Sequence, residues 1–211
     1  MEMFNQDPKN YHVWSYRHWL VRRFKLWDDP REMADVETLI NEDVRNNSAW
    51  NHRFVLRFGP RDDAVPDAGM PNGHVSASSS SLGKGKLSFV DEDLVDSELE
   101  YIKQKIVLVP ENRSPWAYAR GVFRAAGRPI SEWLVFADRF TTISDDGAAA
   151  QVKSSHALEW LADVYGGQDA GGGGDEEKKD KDEAVRMLTL LKEKYDPIRR
   201  NYWDYRIALL A

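Results

Sequence analysis

The chain of 211 residues has no cysteine. That excludes disulfide staples and thiolate metal ligands, and it leaves a reducing compartment acceptable. Long apolar runs are missing too. Nowhere do 18 apolar residues follow one another, and the opening MEMFNQDPKN has no basic-then-apolar leader pattern. Neither a spanning helix nor a secretory signal is expected, and the cytoplasm is the default location. Basic charge is in deficit, with 29 Lys and Arg against 35 Asp and Glu, a net charge of −6 and an isoelectric point near 5.4. Broad electrostatic binding to nucleic acid or to an anionic membrane needs a basic face, so both are excluded as the main activity. The five histidines show no His-x-x-x-His or His-Glu-x-x-His spacing, so no zinc constellation is expected and His18 with His52 does not read as one. Convincing period-two alternation is absent as well, which argues against strands.

What is present is aromatic and repetitive. Eight Trp, eight Tyr and eight Phe supply core material, while 30% charged residues and a mean hydropathy of −0.61 describe a wet surface. The stretch DPKNYHVWSYRHW at 7–19 returns as EDVRNNSAWNHRF at 42–54. One offset of 36 residues pairs Asp7 with Asp43, Asn10 with Asn46, Trp14 with Trp50 and Arg17 with Arg53. A third copy, VPENRSPWAYAR, keeps Asn112 and Trp116 with its arginine one position late at Arg120, and a fourth, PIRRNYWDYR, keeps Trp203 and Arg206. A period of 30–40 residues is the mark of stacked helical hairpins. A Trp that recurs in every unit is expected to pack between helices. Arg17 and Arg53 are expected to tie neighbouring turns through hydrogen bonds to carboxylates or carbonyls.

Helical stripes fill the intervals. Asp29 reads as an N-cap before Pro30, with Met33, Val36 and Ile40 on one face. Val95, Leu99, Ile102, Ile106 and Val109 form a second stripe behind the acidic helix start Asp91-Glu92-Asp93, which suits the helix dipole. Trp133, Phe136, Phe140 and Ile143 form a third, Ala184, Leu188, Leu191 and Tyr195 a fourth, and Ile198, Tyr202, Tyr205 and Leu209 a fifth. The fold class is therefore all-α, one helical-repeat domain over 1–211. It is interrupted by a flexible Gly/Pro/Ser-rich insertion at 59–90 and a flexible Gly/charged loop at 166–181.

The segment KNYHVWSYRHWLVRRFKLWDD, followed by NEDVRNNSAWNHR, resembles the α subunits of protein farnesyltransferase and type I geranylgeranyltransferase, and PENRSPWAY and NYWDYR resemble later parts of the same subunit. The resemblance implies a right-handed solenoid of antiparallel hairpins, an α-α superhelix that wraps a β subunit in a heterodimer. It also implies transfer of a farnesyl or geranylgeranyl group from its diphosphate to the Cys of a C-terminal CaaX motif. Zinc and magnesium would serve the holoenzyme, the zinc bound by the β subunit and neither by this chain. Family subunits are longer at the N-terminus, so the chain is expected to lack repeats, among them the one with the family's main diphosphate-contacting Lys. Two further readings stay open: the α subunit of the Rab geranylgeranyltransferase, against which the FKLWDD string weighs, and a non-catalytic helical scaffold.

Tyr11 and His12 have no counterpart in the second copy, where Asn47 and Ser48 stand. From the residues alone, Tyr11 is an aromatic packing on Trp14 at the start of a helix, and His12 an exposed first-turn side chain. The resemblance instead places both at the isoprenoid diphosphate, with Lys9 as a helper.

Overall fold

The computed structural model of the protein describes residues 10–59, 91–143, 150–167 and 175–210. They form two compact units: Met1–Glu98 with Ala125–Gly127, and Leu99–Arg124 with Arg128–Ala211. The first unit holds α1 (Tyr11–Phe24), α2 (Pro30–Glu42), α3 (Asn47–Phe58) and the first turns of α4 (Glu92–Leu108). The second holds the rest of α4, α5 (Arg113–Ala126) as far as Arg124, a 3-10 turn at Ile130–Trp133 and α6 (Leu134–Asp138). There follow β1 (Thr141–Ile143), β2 (Ala150–Val152), α7 (Ser155–Gly166), α8 (Asp175–Leu190) and α9 (Arg200–Ala208). The all-α expectation holds, and no described helix is long and apolar enough to cross a membrane.

Each conserved-looking position of the echo performs one local task. The Asn is the helix N-cap: Asn10 Oδ1 accepts from the backbone N–H of His12 at 3.0 Å, Asn46 Oδ1 from Ala49 at 3.2 Å and Asn112 Oδ1 from Ser114 at 3.2 Å. These bonds satisfy donors that a helix start otherwise leaves bare. The Trp is buried and its indole N–H closes the preceding turn, Trp50 donating to the Val44 carbonyl at 2.9 Å, Trp116 to that of Pro110 at 2.9 Å and Trp203 to that of Asp196 at 3.1 Å. The Arg reaches carboxylates on another helix. Arg17 donates to Glu32 and Asp35 of α2, each at 2.8 Å, and Arg53 of α3 grips Glu98 of α4 with two bonds of 2.8 Å. In the second unit Arg120 and Arg206 share Asp163 of α7.

The stripes locate the cores. Val36 and Ile40 of α2 are fully buried, as are Ile102 and Ile106 of α4, with Val95 and Leu99 nearly so. Ala184, Leu188 and Leu191 face inward as expected. In the second unit Trp116 sits among Trp133, Phe136, Phe140 and Trp160, with ring centroids 5.7–6.4 Å away. Edge-on and tilted geometries of this kind suit the aromatic quadrupole.

Three expectations need correction. The stripe at Trp133–Ile143 is not one helix: α6 ends at Asp138, and the β-branched run Thr141-Thr142-Ile143 pairs antiparallel with Ala150–Val152, so a short hairpin exists where strands were not expected. The loop placed at 166–181 ends earlier, because α8 begins at Asp175; acidic residues at its start and Lys further on favour a helix there. The face Ile198, Tyr202, Tyr205, Leu209 points outward, with Ile198 95% and Leu209 63% exposed. Trp203, the fully buried residue of α9, turns the opposite side inward. The insertion at 59–90 lies outside the described residues from position 60 on.

Glu98 is the critical partner of the first unit: its side chain is 1% exposed and accepts from both Arg53 and Arg57. Glu98→Gln takes from the buried Arg53 its buried carboxylate, leaving only the half-exposed Glu37, and is expected to lower unfolding free energy by about 3 kcal/mol. Glu100→Gln, at an exposed pair with Lys103, is expected to change it by less than about 0.5 kcal/mol. Urea denaturation of both variants checks the contrast, and equal losses would refute the buried-pair account.

Candidate functional site

The site builds from the first turn of α1. With Asn10 capping the backbone, Tyr11 and His12 occupy the first two helical positions, and no acidic side chain shares that turn. The positive end of the helix dipole is therefore uncompensated there. Tyr11 is 55% exposed and His12 is exposed, their rings edge-on with centroids 5.7 Å apart. Tyr11 therefore faces solvent rather than the core. Two side-chain donors, a phenol O–H and an imidazole N–H, stand side by side at a helix N-terminus. At the equivalent turn of α3, Asn47 and Ser48 offer no rings. Lys9 lies outside the described residues.

The opposite face of α1 fixes that turn in place. Trp14 is 4% exposed and its ring lies 5.4 Å from that of His52 on α3. Arg17, 7% exposed, ties α1 to α2 through Glu32 and Asp35. Glu32 is shared, because His52 Nε2 approaches the same Oε2 at 3.1 Å. Burial pushes the Glu32 carboxyl up, but hydrogen bonds from His52 and Arg17 outweigh it and hold the group below the usual carboxylate range. His52 is lowered by burial and by Arg17, against the pull of Glu32. His18, on α1, stacks on His52 with centroids 4.7 Å apart and ring planes within 9°. Burial first, then His52, Arg22 and Arg17, lower His18 to about 4.

A third face of α1 is aromatic and open. Tyr16 and Trp19 stack with centroids 5.8 Å apart, Phe24 lies edge-on to Trp19 at 6.5 Å, and the three are 50%, 42% and 61% exposed. The motif reading missed them; their signal was aromatic side chains outside the Trp-x-x-Arg register. It also missed Glu32, Asp35, Glu98 and Asp163 as partners of the repeated arginines. Among the described residues no group of three or more His, Cys, Asp or Glu converges as a metal site. The second unit has an open cleft of about 640 Å³ lined by Lys103, Val107, Glu132, Val135, Phe136 and Arg139, which carries both signs of charge and no nucleophile.

Comparison with known proteins gives these observations a context. The profile of the protein prenyltransferase alpha subunit repeat matches residues 1–24 and 29–57. The chain is 38% identical over 209 residues to the Candida albicans protein farnesyltransferase/geranylgeranyltransferase type-1 subunit alpha, a match covering 99% of this chain and 55% of that protein. It is 27% identical over 116 residues to the human geranylgeranyl transferase type-2 subunit alpha, covering 54% of this chain and 17% of that protein. A solved structure titled Candida albicans protein geranylgeranyltransferase-I complexed with GGPP superposes with a TM-score of 0.75 at 37% identity, covering all of this chain and 56% of that one. The chain spans about half the length of the type-1 relatives it matches.

Because Tyr11 and His12 are exposed, Tyr11→Phe and His12→Ala are each expected to shift stability by less than about 0.5 kcal/mol. Asn10→Ala, which removes the cap beneath them, is expected to cost about 1 kcal/mol. Thermal unfolding of the three variants separates a surface pair from a structural one, and large losses in the first two would assign them to the core.

Proposed function

The chain belongs to the family of protein prenyltransferase α subunits, and from that premise we infer that it is the α subunit of a farnesyltransferase or type I geranylgeranyltransferase. With a β subunit it transfers a prenyl group from its diphosphate to the Cys of a CaaX protein. The observation that carries this reading is the 38% identity over 209 residues to a protein of that name. The type-2 relative matches little more than half the chain, so the CaaX-directed enzymes are preferred over the Rab-directed one. In transfer, the carbon–oxygen bond to the diphosphate breaks, the thiol sulfur bonds the prenyl carbon, and the thiol proton leaves.

Negative charge grows on the departing diphosphate, and donors already in place stabilise it without reorganising. Tyr11 and His12 are assigned that role. Asn10 orders their turn, and Trp14 with Arg17 hold the helix behind them, so this chain completes the site by presenting donors at the end of a fixed helix. The open face of Tyr16, Trp19 and Phe24 on the same helix suits a subunit that shares its site with a partner. Among the described residues no metal-binding group converges, and no step is derived through zinc or magnesium.

Co-expression with a farnesyltransferase β subunit tests the reading. A one-to-one complex that farnesylates a CaaX peptide is expected. In it, the Tyr11→Phe/His12→Ala pair is expected to lower kcat/KM on the order of tenfold to a thousandfold while leaving the complex intact. Full activity in that variant would remove these residues from the site. A folded chain that binds no β subunit would sink the subunit reading and favour the scaffold.

A further inference from the structure

We propose that the stacked His18–His52 pair is a proton-sensitive joint between α1 and α3, closed while both imidazoles are neutral and opened when either takes a proton. Three features of the pair support it. The rings lie parallel within 9° at 4.7 Å, and His52 is fully buried between His18 and the Trp14 ring. Glu32 fixes the tautomer, because an ionised carboxylate only accepts, so His52 Nε2 carries the hydrogen and Nδ1 is the bare nitrogen. That Nδ1 and His18 Nε2 are both sealed from solvent without a hydrogen-bond partner among the described residues.

A proton arriving at His52 Nδ1 creates a cation whose new N–H has no acceptor, next to a second imidazole, and a cationic His18 holds an Nε2–H that has none either. Of the surrounding charges only Glu32 favours the proton, and on His52 burial and Arg17 outweigh it. From α1 the pair faces Arg17 and Arg22, both cationic. From α2 it faces Glu32, while Asp35 beside it is engaged by Arg17; Glu32 itself already accepts from Arg17 at 2.8 Å. From α3 the facing group is the other imidazole. Burial accordingly holds both histidines below their ordinary value, His18 at about 4.

The sign follows. The folded state keeps the pair neutral while the unfolded chain takes up protons below about pH 6.5. The stability is therefore fully present above pH 6.5 and is lost as pH falls toward 4. Since α1 also carries Tyr11 and His12, the joint makes the fixed presentation of that pair conditional on neutral pH. The proposal stands on the histidine geometry alone and holds or fails independently of the prenyl-transfer reading.

The test uses the full chain, with urea unfolding at pH 7.5 and pH 5.0 and an NMR titration of its imidazoles, assigned by the signals that His18→Gln and His52→Gln remove. Between those pH values the unfolding equilibrium constant of the wild type is expected to rise roughly thirtyfold more than that of His18→Gln. The His18 signal is expected to keep its neutral shift at pH 5.5, and the His52 midpoint to lie below that of a free imidazole. Equal pH dependence in wild type and His18→Gln would overturn the proposal, as would either imidazole titrating near 6.5. Where the glutamine variants do not fold, the wild-type titration decides, with His18 and His52 assigned by the through-space contact between their stacked rings: a His18 imidazole still neutral at pH 5.5 upholds the joint, and one titrating near 6.5 refutes it.

Discussion

Buried guanidinium groups set the terms for everything else in the first unit. Taking an arginine out of water costs several kcal/mol, and only a carboxylate held at the right height and angle offsets the loss. Arg17 meets that condition with Glu32 and Asp35, and Arg53 with Glu98 and Glu37. Such pairs add little net stability over apolar packing of the same shape, but they penalise misregister heavily. A helix that slid by one turn against its neighbour would strand a charge on each side. The arrangement thus ties α1 to α2 and α3 to α4 in one register each. The Asn caps and the Trp-to-carbonyl bonds then fix where each helix starts.

The role proposed for the open end of α1 depends on that constraint. A donor pair stabilises developing charge only if it does not have to be ordered at the moment of reaction. Tyr11 and His12 are solvent-facing, so packing around their rings cannot supply the order. It comes from below: the cap at Asn10, the buried Trp14 one turn on and the doubly bonded Arg17. One helix therefore presents three different surfaces, with polar rings at its tip, anchors on its inner side and uncovered aromatics on its outer side.

The sequence disclosed the parts of this that are local. The roles of Asn and Trp were legible because a cap reaches two or three residues forward and the indole reaches six or seven residues back. The carboxylate partners were not, since Arg53 and Glu98 are 45 residues apart in the chain. Even so, Glu98 lies three residues from Val95 on a buried face, and an acid in an apolar stripe is a sign of a buried partner. Periodicity showed a stripe in α9 but could not say which side faces in. The bulk of Trp203 and the tie from Arg206 to Asp163 decide that, leaving Ile198 and Leu209 outside. Exposure of Tyr11 and His12 was compatible with no role at all, and only the resemblance to a known subunit singled them out.

The same physics explains why one buried cation is tolerated in this unit and another is not. Arg17 is charged at every accessible pH, and the fold meets that charge with two carboxylates at 2.8 Å. His18 and His52 sit within the same layer, yet Glu32, the carboxylate that His52 Nε2 reaches, is shared with Arg17, and neither His52 Nδ1 nor His18 Nε2 faces an acceptor. A group that can discard its proton does so rather than remain charged without a partner. Stacking two flat neutral rings then fills the space between α1 and α3 at van der Waals distance, which two imidazolium ions could not do. The layer therefore combines a permanent charge, fully matched, with a conditional one, deliberately unmatched, and the second kind makes the contact between these helices depend on pH.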